Sequence, residues 1–164
     1  MIRVASERDA ESIARVWIRS WRQAYTHVFP CGILDGLSLE ERTRQTLDAI
    51  TRADTEVFVS EVDGDIGGFA SVGPSREAEG CGELYAIYVD EVHWGSGIAQ
   101  ALMSRAEDEL RRRGFDEAVL SVLSNNPRAR RFYERNGWVA DTPFREVIRG
   151  HEVDVVRYRK ELVA

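Results

Sequence analysis

The stretch from Glu83 to Leu102 constrains this chain more than any other. Glu83-Leu84-Tyr85-Ala86-Ile87-Tyr88-Val89 is apolar over most of its length, as a strand in the middle of a sheet is. A short loop follows, and Gly95-Ser96-Gly97-Ile98-Ala99 opens a helical pattern that carries Ile98, Leu102, Ala106 and Leu110 on one face. A strand that runs through glycines into a helix leaves the first helical N–H groups unpartnered and places about half a positive charge there. Small residues let a bulky anion approach that backbone closely. Such a turn can hold a phosphate or pyrophosphate without any lysine. The plainer alternative is a tight strand–helix connection with no ligand, and the glycines alone do not choose between the two.

Independence from lysine matters here. Of the 22 basic residues all but Lys160 are arginine, which removes the phosphate-binding loop that needs Lys directly after its glycine. A Schiff-base mechanism needs a buried, activated Lys, and Lys160 is a poor candidate. A dinucleotide fingerprint needs G-x-G-x-x-G, but the third small residue, Ala99, falls only two places after Gly97.

Other classes are also disfavoured. Cys31 and Cys81 have no CxxC partner and read as free thiols, while His27, His93 and His151 are scattered, so no metal site is expected. No apolar run approaches the roughly 20 residues that span a bilayer, and the start lacks a signal pattern, so no membrane association and a cytoplasmic location are expected. Arg128, Arg130, Arg131 and Arg135 form a basic cluster and Arg111 to Arg113 another. The chain as a whole carries −6, however, with no recognisable nucleic-acid module, so no nucleic-acid partner is expected.

The periodicities give one mixed α/β domain over residues 1–164. A short strand, Ile2 to Ala5, precedes a capping box, Ser6 to Asp9, and a helix from about Arg8 to Tyr25. Val28 to Leu37 reads as a loop and Ser38 to about Thr51 as a second helix. Glu56–Val62 and Ile66–Val72 form a hairpin about Asp63-Gly64. After the central strand and the Gly95–Arg113 helix come a strand at Ala118–Leu123, a helix from Pro127 to Asn136-Gly137, and a final antiparallel pair, Trp138–Val147 and Val153–Leu162.

A second motif decides what the glycine turn is for. Asn126, Ala129, Phe132, Tyr133, Gly137 and Trp138 occupy every fixed position of N-x-x-A-x-x-F-Y-x-x-x-G-F/W. Trp94-Gly95-Ser96-Gly97-Ile98-Ala99 matches Q/R-x-x-G-x-G/A at Gly97 and Ala99, with Trp94 where Gln or Arg is usual. The two motifs in this order resemble the GNAT superfamily of acetyl-CoA-dependent N-acetyltransferases, and the resemblance extends over almost the whole chain. It implies a central, mixed, mostly antiparallel sheet that splays between the two parallel strands at 83–89 and 118–123, with helices on both faces.

The resemblance also implies a site. Acetyl-CoA is the cosubstrate, with no metal. Its pantetheine arm pairs with the backbone of Ile87, Tyr88 and Val89, its pyrophosphate sits over Trp94, Gly95, Ser96, Gly97, Ile98, Ala99 and Gln100, and Asn126 bonds the arm. Tyr133 matches the acid that protonates the leaving thiolate, and it also borders the cofactor. Glu83 matches a frequent acidic position and is the first choice for the base, with Asp90 and Glu91 in a loop that faces solvent and His93 beside the phosphate turn. A backbone N–H near Ile87 would stabilise the oxyanion.

Trp17, Trp21 and Tyr25, at intervals of four, could form an aromatic wall for a cationic acceptor, although core packing is the commoner reason for such a stripe. The net charge favours a cationic acceptor. The expected reaction is direct attack by a primary amine, of a small molecule or a peptide, on the thioester in a ternary complex. A non-catalytic acyl-CoA sensor is the alternative. Dimers are common in the family, so a homodimer is an expectation with no interface legible in the sequence.

Overall fold

The computed structural model describes residues 1–163; Ala164, the last residue of the expected domain, lies outside them. Seven strands form one sheet: β1 (Ile2–Val4), β2 (Glu56–Val62), β3 (Asp65–Pro74), β4 (Gly82–Val89), β5 (Glu117–Leu123), β6 (Val139–Ile148) and β7 (His151–Glu161). Their order across the sheet is β1-β2-β3-β4-β5-β7-β6. Every pairing is antiparallel except β4 with β5. Among the described residues there are five α-helices: α1 (Ala10–Ala24), α2 (Cys31–Asp35), α3 (Leu39–Thr51), α4 (Ile98–Arg112) and α5 (Pro127–Arg135).

The apolar stripes sort the helices onto the two faces. Leu102, Met103, Ala106 and Leu110 of α4 are buried with Tyr133 of α5, Trp138 and one face of β4, β5 and β7. Ile13, Val16, Trp17, Ile18 and Trp21 of α1 are buried on the other face. The Asp9 carboxylate accepts the Ser6 N–H at 2.7 Å and a two-pronged bond from Arg3, which holds its pKa at about 2. That ties the entry of α1 to the first strand.

Two local readings need correction. The expected Val28–Leu37 loop contains the one-turn helix α2, begun by Pro30 and ended at Gly36. Pro and Gly there are helix punctuation rather than loop filler. The last hairpin turns on Arg149-Gly150, both at positive φ, so its strands reach Ile148 and His151. This is the same two-residue geometry as at Asp63-Gly64.

The central feature is the parallel pair. Its register is limited to Gly82↔Ala118 and Glu83↔Val119. Beyond these residues the strands part. A bulge on β4 accompanies the parting: Ser71 faces Ala86 and Val72 faces Leu84, leaving Tyr85 as the extra residue. The bulge resets the alternation, so that Leu84, Ile87 and Val89 face the α4 side and Ala86 and Tyr88 the α1 side. Among the described residues no helix is long and apolar enough to cross a membrane.

Candidate active site

The gap between β4 and β5 is a cleft of about 1060 Å³. Its walls are Leu84 to Val89 on one side and Leu120 to Leu123 on the other; α5 from Pro127 to Tyr133 and the end of α1 complete it. The Asp90 N–H bonds the Gly67 carbonyl on β3 at 2.9 Å. Because peptide groups alternate along a strand, the backbone of Ile87 and Val89 points into the gap, while that of Tyr88 points toward β3. Tyr88 therefore offers the cleft its side chain rather than the backbone that the family resemblance implies.

At one end of the cleft, Gly95 and Gly97 adopt φ of 80° and 90°, a backbone that side chains disfavour, and a Cβ at either would meet nothing within 4 Å. Gly97 caps α4, and the first helix-type bond runs from the Ala101 N–H to the Gly97 carbonyl. The N–H groups of Ile98, Ala99 and Gln100 thus stand free at a helix start, able to receive an anion. Trp94 replaces the usual Gln or Arg without disrupting this geometry. Its indole N–H donates to the Val89 carbonyl at 3.0 Å, and the Arg128 guanidinium lies 3.4 Å from its ring centroid. The Gln100 side chain donates to Asn136 at the end of α5.

At the centre, Asn126 caps α5 by accepting the Ala129 N–H at 3.2 Å, and its amide donates to the Tyr25 hydroxyl at 3.5 Å. Tyr133 is buried against the cleft, where burial, and then the nearby Tyr88, push its phenol well above the usual tyrosine value. Tyr25 is raised chiefly by burial, with Tyr88 and Tyr133 adding to the shift. Three tyrosines thus meet where the strands separate. Trp21 fixes the middle one, its indole N–H donating to the Tyr88 hydroxyl at 3.2 Å.

Of the expected aromatic wall, Trp21 and Tyr25 line the cleft. Trp17 does not; it stacks behind Trp21, with ring centroids 4.5 Å apart. Glu83 stands at the closed end, one residue below the lining. It is half-buried, accepts the Ser75 hydroxyl at 2.8 Å, and is raised mainly by desolvation. Asp90 does not face solvent as expected: Arg19 grips both its oxygens, at 2.9 and 2.6 Å. His93 turns back so that its ring packs on the bare backbone of Gly67. His27 reaches the Asn125 carbonyl at 2.8 Å and so connects the end of α1 to the β5–α5 loop.

The basic residues are largely engaged. Arg111 to Arg113 pair with Glu107, Asp108 and Glu109 on their own helix, and Arg130 donates to Tyr158 and Ser124. Among the described residues no group of three or more His, Cys, Asp or Glu could hold a metal ion.

This fold and site define a coenzyme-A-dependent acyltransferase. The chain belongs to the acetyltransferase (GNAT) family, which matches residues 17–138. It is 36% identical to the uncharacterized N-acetyltransferase YuaI of Bacillus subtilis over 129 residues, 77% of this chain and 73% of that one. Among solved structures, yncA from Salmonella typhimurium, determined with its cofactor acetyl-CoA, superimposes with a TM-score of 0.75 at 25% identity, covering 100% of this chain and 94% of that one. The paia N-acetyltransferase of Thermoplasma acidophilum, in complex with coenzyme A, shares the fold with a TM-score of 0.77 at 20% identity, covering 98% of each chain. The protein is an acetyl-CoA-dependent N-acetyltransferase.

Proposed function

We propose that the protein moves an acetyl group from acetyl-CoA to a primary amine by direct attack within a ternary complex. The observation that carries this reading is the parting of β4 from β5 after Glu83, with a free-amide helix start at one end of the gap and Tyr133 buried in its wall. Pantetheine takes the place of the missing neighbour strand against Ile87 and Val89, as an added strand does. The pyrophosphate rests on the N–H groups that open α4. Asn126 holds the start of α5 against that arm.

An amine is mostly ammonium at neutral pH, its pKa being near about 10 by analogy with lysine. Glu83, a hydrogen-bonded carboxylate just below the cleft, takes the proton through water. The amine lone pair then attacks the thioester carbonyl, and the oxyanion is held by a backbone N–H near Ile87. As the C–S bond breaks, Tyr133 gives its proton to the departing thiolate. A phenol raised by burial keeps that proton throughout the neutral range.

The test is a panel of primary amines incubated with acetyl-CoA, read by thiol release and by the mass of acetylated product. Transfer to one or more amines is expected. Tight binding of acetyl-CoA with no transfer to any amine would support a sensor instead.

A further inference from the structure

Behind the Trp21 wall of the cleft lies an arginine that pairs with no carboxylate among the described residues. Arg42, on α3, lies with its Cζ 4.0 Å from the centroid of the Trp17 ring. Its Nε is sealed from solvent and has no hydrogen-bond partner. Among the described residues its guanidinium hydrogen-bonds only to the neutral Gln45 side chain, across 3.3 Å. Other half-buried arginines are satisfied within the fold: Arg3 by Asp9, Arg113 by Glu109, Arg157 by Glu77, and Arg130 by the Tyr158 hydroxyl and the Ser124 carbonyl. The sealed Nε cannot itself meet a ligand, but it marks a guanidinium whose burial and charge no carboxylate among the described residues offsets, so its half-buried outer edge is where an anion would be received.

A second guanidinium converges on the same place. Arg149, in the β6–β7 turn, has its Cζ 5.9 Å from the Trp17 centroid. Burial first, and Arg149 as a like charge, bring the Arg42 pKa down to about 10, while Tyr88 opposes the shift. The negative charge of a bound anion would offset both the desolvation and the repulsion. Trp17, Arg42 and Arg149 lie just behind the cleft lining and are joined to it through neighbours. Trp17 stacks on the cleft-lining Trp21, Arg149 follows the cleft-lining Ile148, and Tyr88 lines the cleft itself.

We propose that the amine acceptor carries a carboxylate, or a similarly compact oxyanion, which Arg42 and Arg149 receive while the amine points to the thioester. This rests on the acetyl-transfer reading above and names the class of its acceptor. Glu146 lines the same rim two residues before Ile148, so the end of the cleft presents both signs and suits a zwitterion. The chain's −6 favours a cationic acceptor, but two guanidiniums at the site outweigh a charge spread over the surface.

The test compares kcat/KM for matched acceptors: L-leucine, L-leucinamide and 3-methylbutylamine; L-glutamate and its α-amide; β-alanine and β-alaninamide. The free acid is expected to exceed the counterparts that lack its carboxylate by about tenfold or more in at least one set. Arg42→Gln, and Arg149→Ala on its exposed turn, should each reduce that preference about tenfold, chiefly through KM of the acid. Equal use of acids and amides in every set, with acetyl transfer proceeding, would overturn the carboxylate assignment and leave the transferase reading standing. A preference for acids that persists in both variants would also overturn it. No transfer to any amine, with acetyl-CoA bound, would overturn the reading beneath it and this assignment with it.

Discussion

The indole N–H of Trp94 donates to the carbonyl of Val89 across 3.0 Å, joining the turn before α4 to the end of the strand that borders the cleft. That bond explains how a tryptophan can stand where Gln or Arg is usual. The side chain fixes the loop by bonding back to β4, and its ring carries Arg128 at the cleft mouth. Trp94→Phe keeps a ring for Arg128 but removes the donor, so coenzyme A should bind several-fold more weakly, in line with about 1 kcal/mol for one hydrogen bond. Trp94→Ala removes both and should cost tenfold or more. Calorimetric titration with coenzyme A checks this; equal affinity in all three proteins would show that the bond does not shape the turn.

Tyr133 is the group for which burial and role can be separated experimentally. Tyr133→Phe keeps the packing and removes only the hydroxyl. We expect kcat to fall about 10- to 100-fold while KM for acetyl-CoA changes less than threefold. Because burial holds the phenol in its protonated form, the wild-type rate should show no loss attributable to Tyr133 up to about pH 10. A single-turnover rate in the variant equal to wild type would remove it as the acid.

Glu83 yields a prediction whose sign follows from its surroundings. Desolvation raises its pKa above the ordinary value of about 4.3, with the Ser75 hydrogen bond opposing the rise. A base must be ionised, so kcat/KM should climb with pH through a limb that lies above that ordinary value. Glu83→Gln should abolish the limb and lower the plateau by about 100-fold or more. A pH–rate profile that keeps the limb in the variant would move the role to another carboxylate or to water alone.

How much of this was legible in sequence depended on whether the cause was local. The strand–glycine–helix segment, the order of elements and both motifs are consequences of short-range pattern, and they stand in the structure at the places the pattern indicates. The face assigned to Tyr88 was not legible, because the bulge at Tyr85 resets the alternation only once β3 and β4 are paired. Trp17, Trp21 and Tyr25 share a helix stripe, yet only tertiary packing separates Trp17 from the two that reach the cleft. Asp90 looked like a loop carboxylate because its partner, Arg19, lies 71 positions away. The same holds for Arg42: sequence shows an arginine on a helix, and only the folded chain shows that among the described residues its one side-chain partner is the neutral Gln45.

The sole lysine shows that a residue poorly suited to chemistry can still matter to the site. Lys160 Nζ donates to both oxygens of Glu107, at 2.8 and 2.9 Å, and to the Asn136 carbonyl at 2.6 Å. Glu107 is buried and also receives the Trp138 indole at 3.1 Å and Arg111 at 3.4 Å. The cluster thus ties β7 to α4 and to the residue that ends α5, the two helices carrying the phosphate turn and Tyr133. Lys160→Met would leave a buried carboxylate with only Arg111 as a charged partner, and should destabilise the fold by about 3 kcal/mol. Changing Glu107→Gln in the same chain removes the stranded charge and keeps an acceptor for Trp138, so the double variant should recover a large part of that loss. Urea unfolding of the wild type, both single variants and the double variant measures the coupling. Additive losses would mean that the two side chains stabilise the fold independently rather than as a pair.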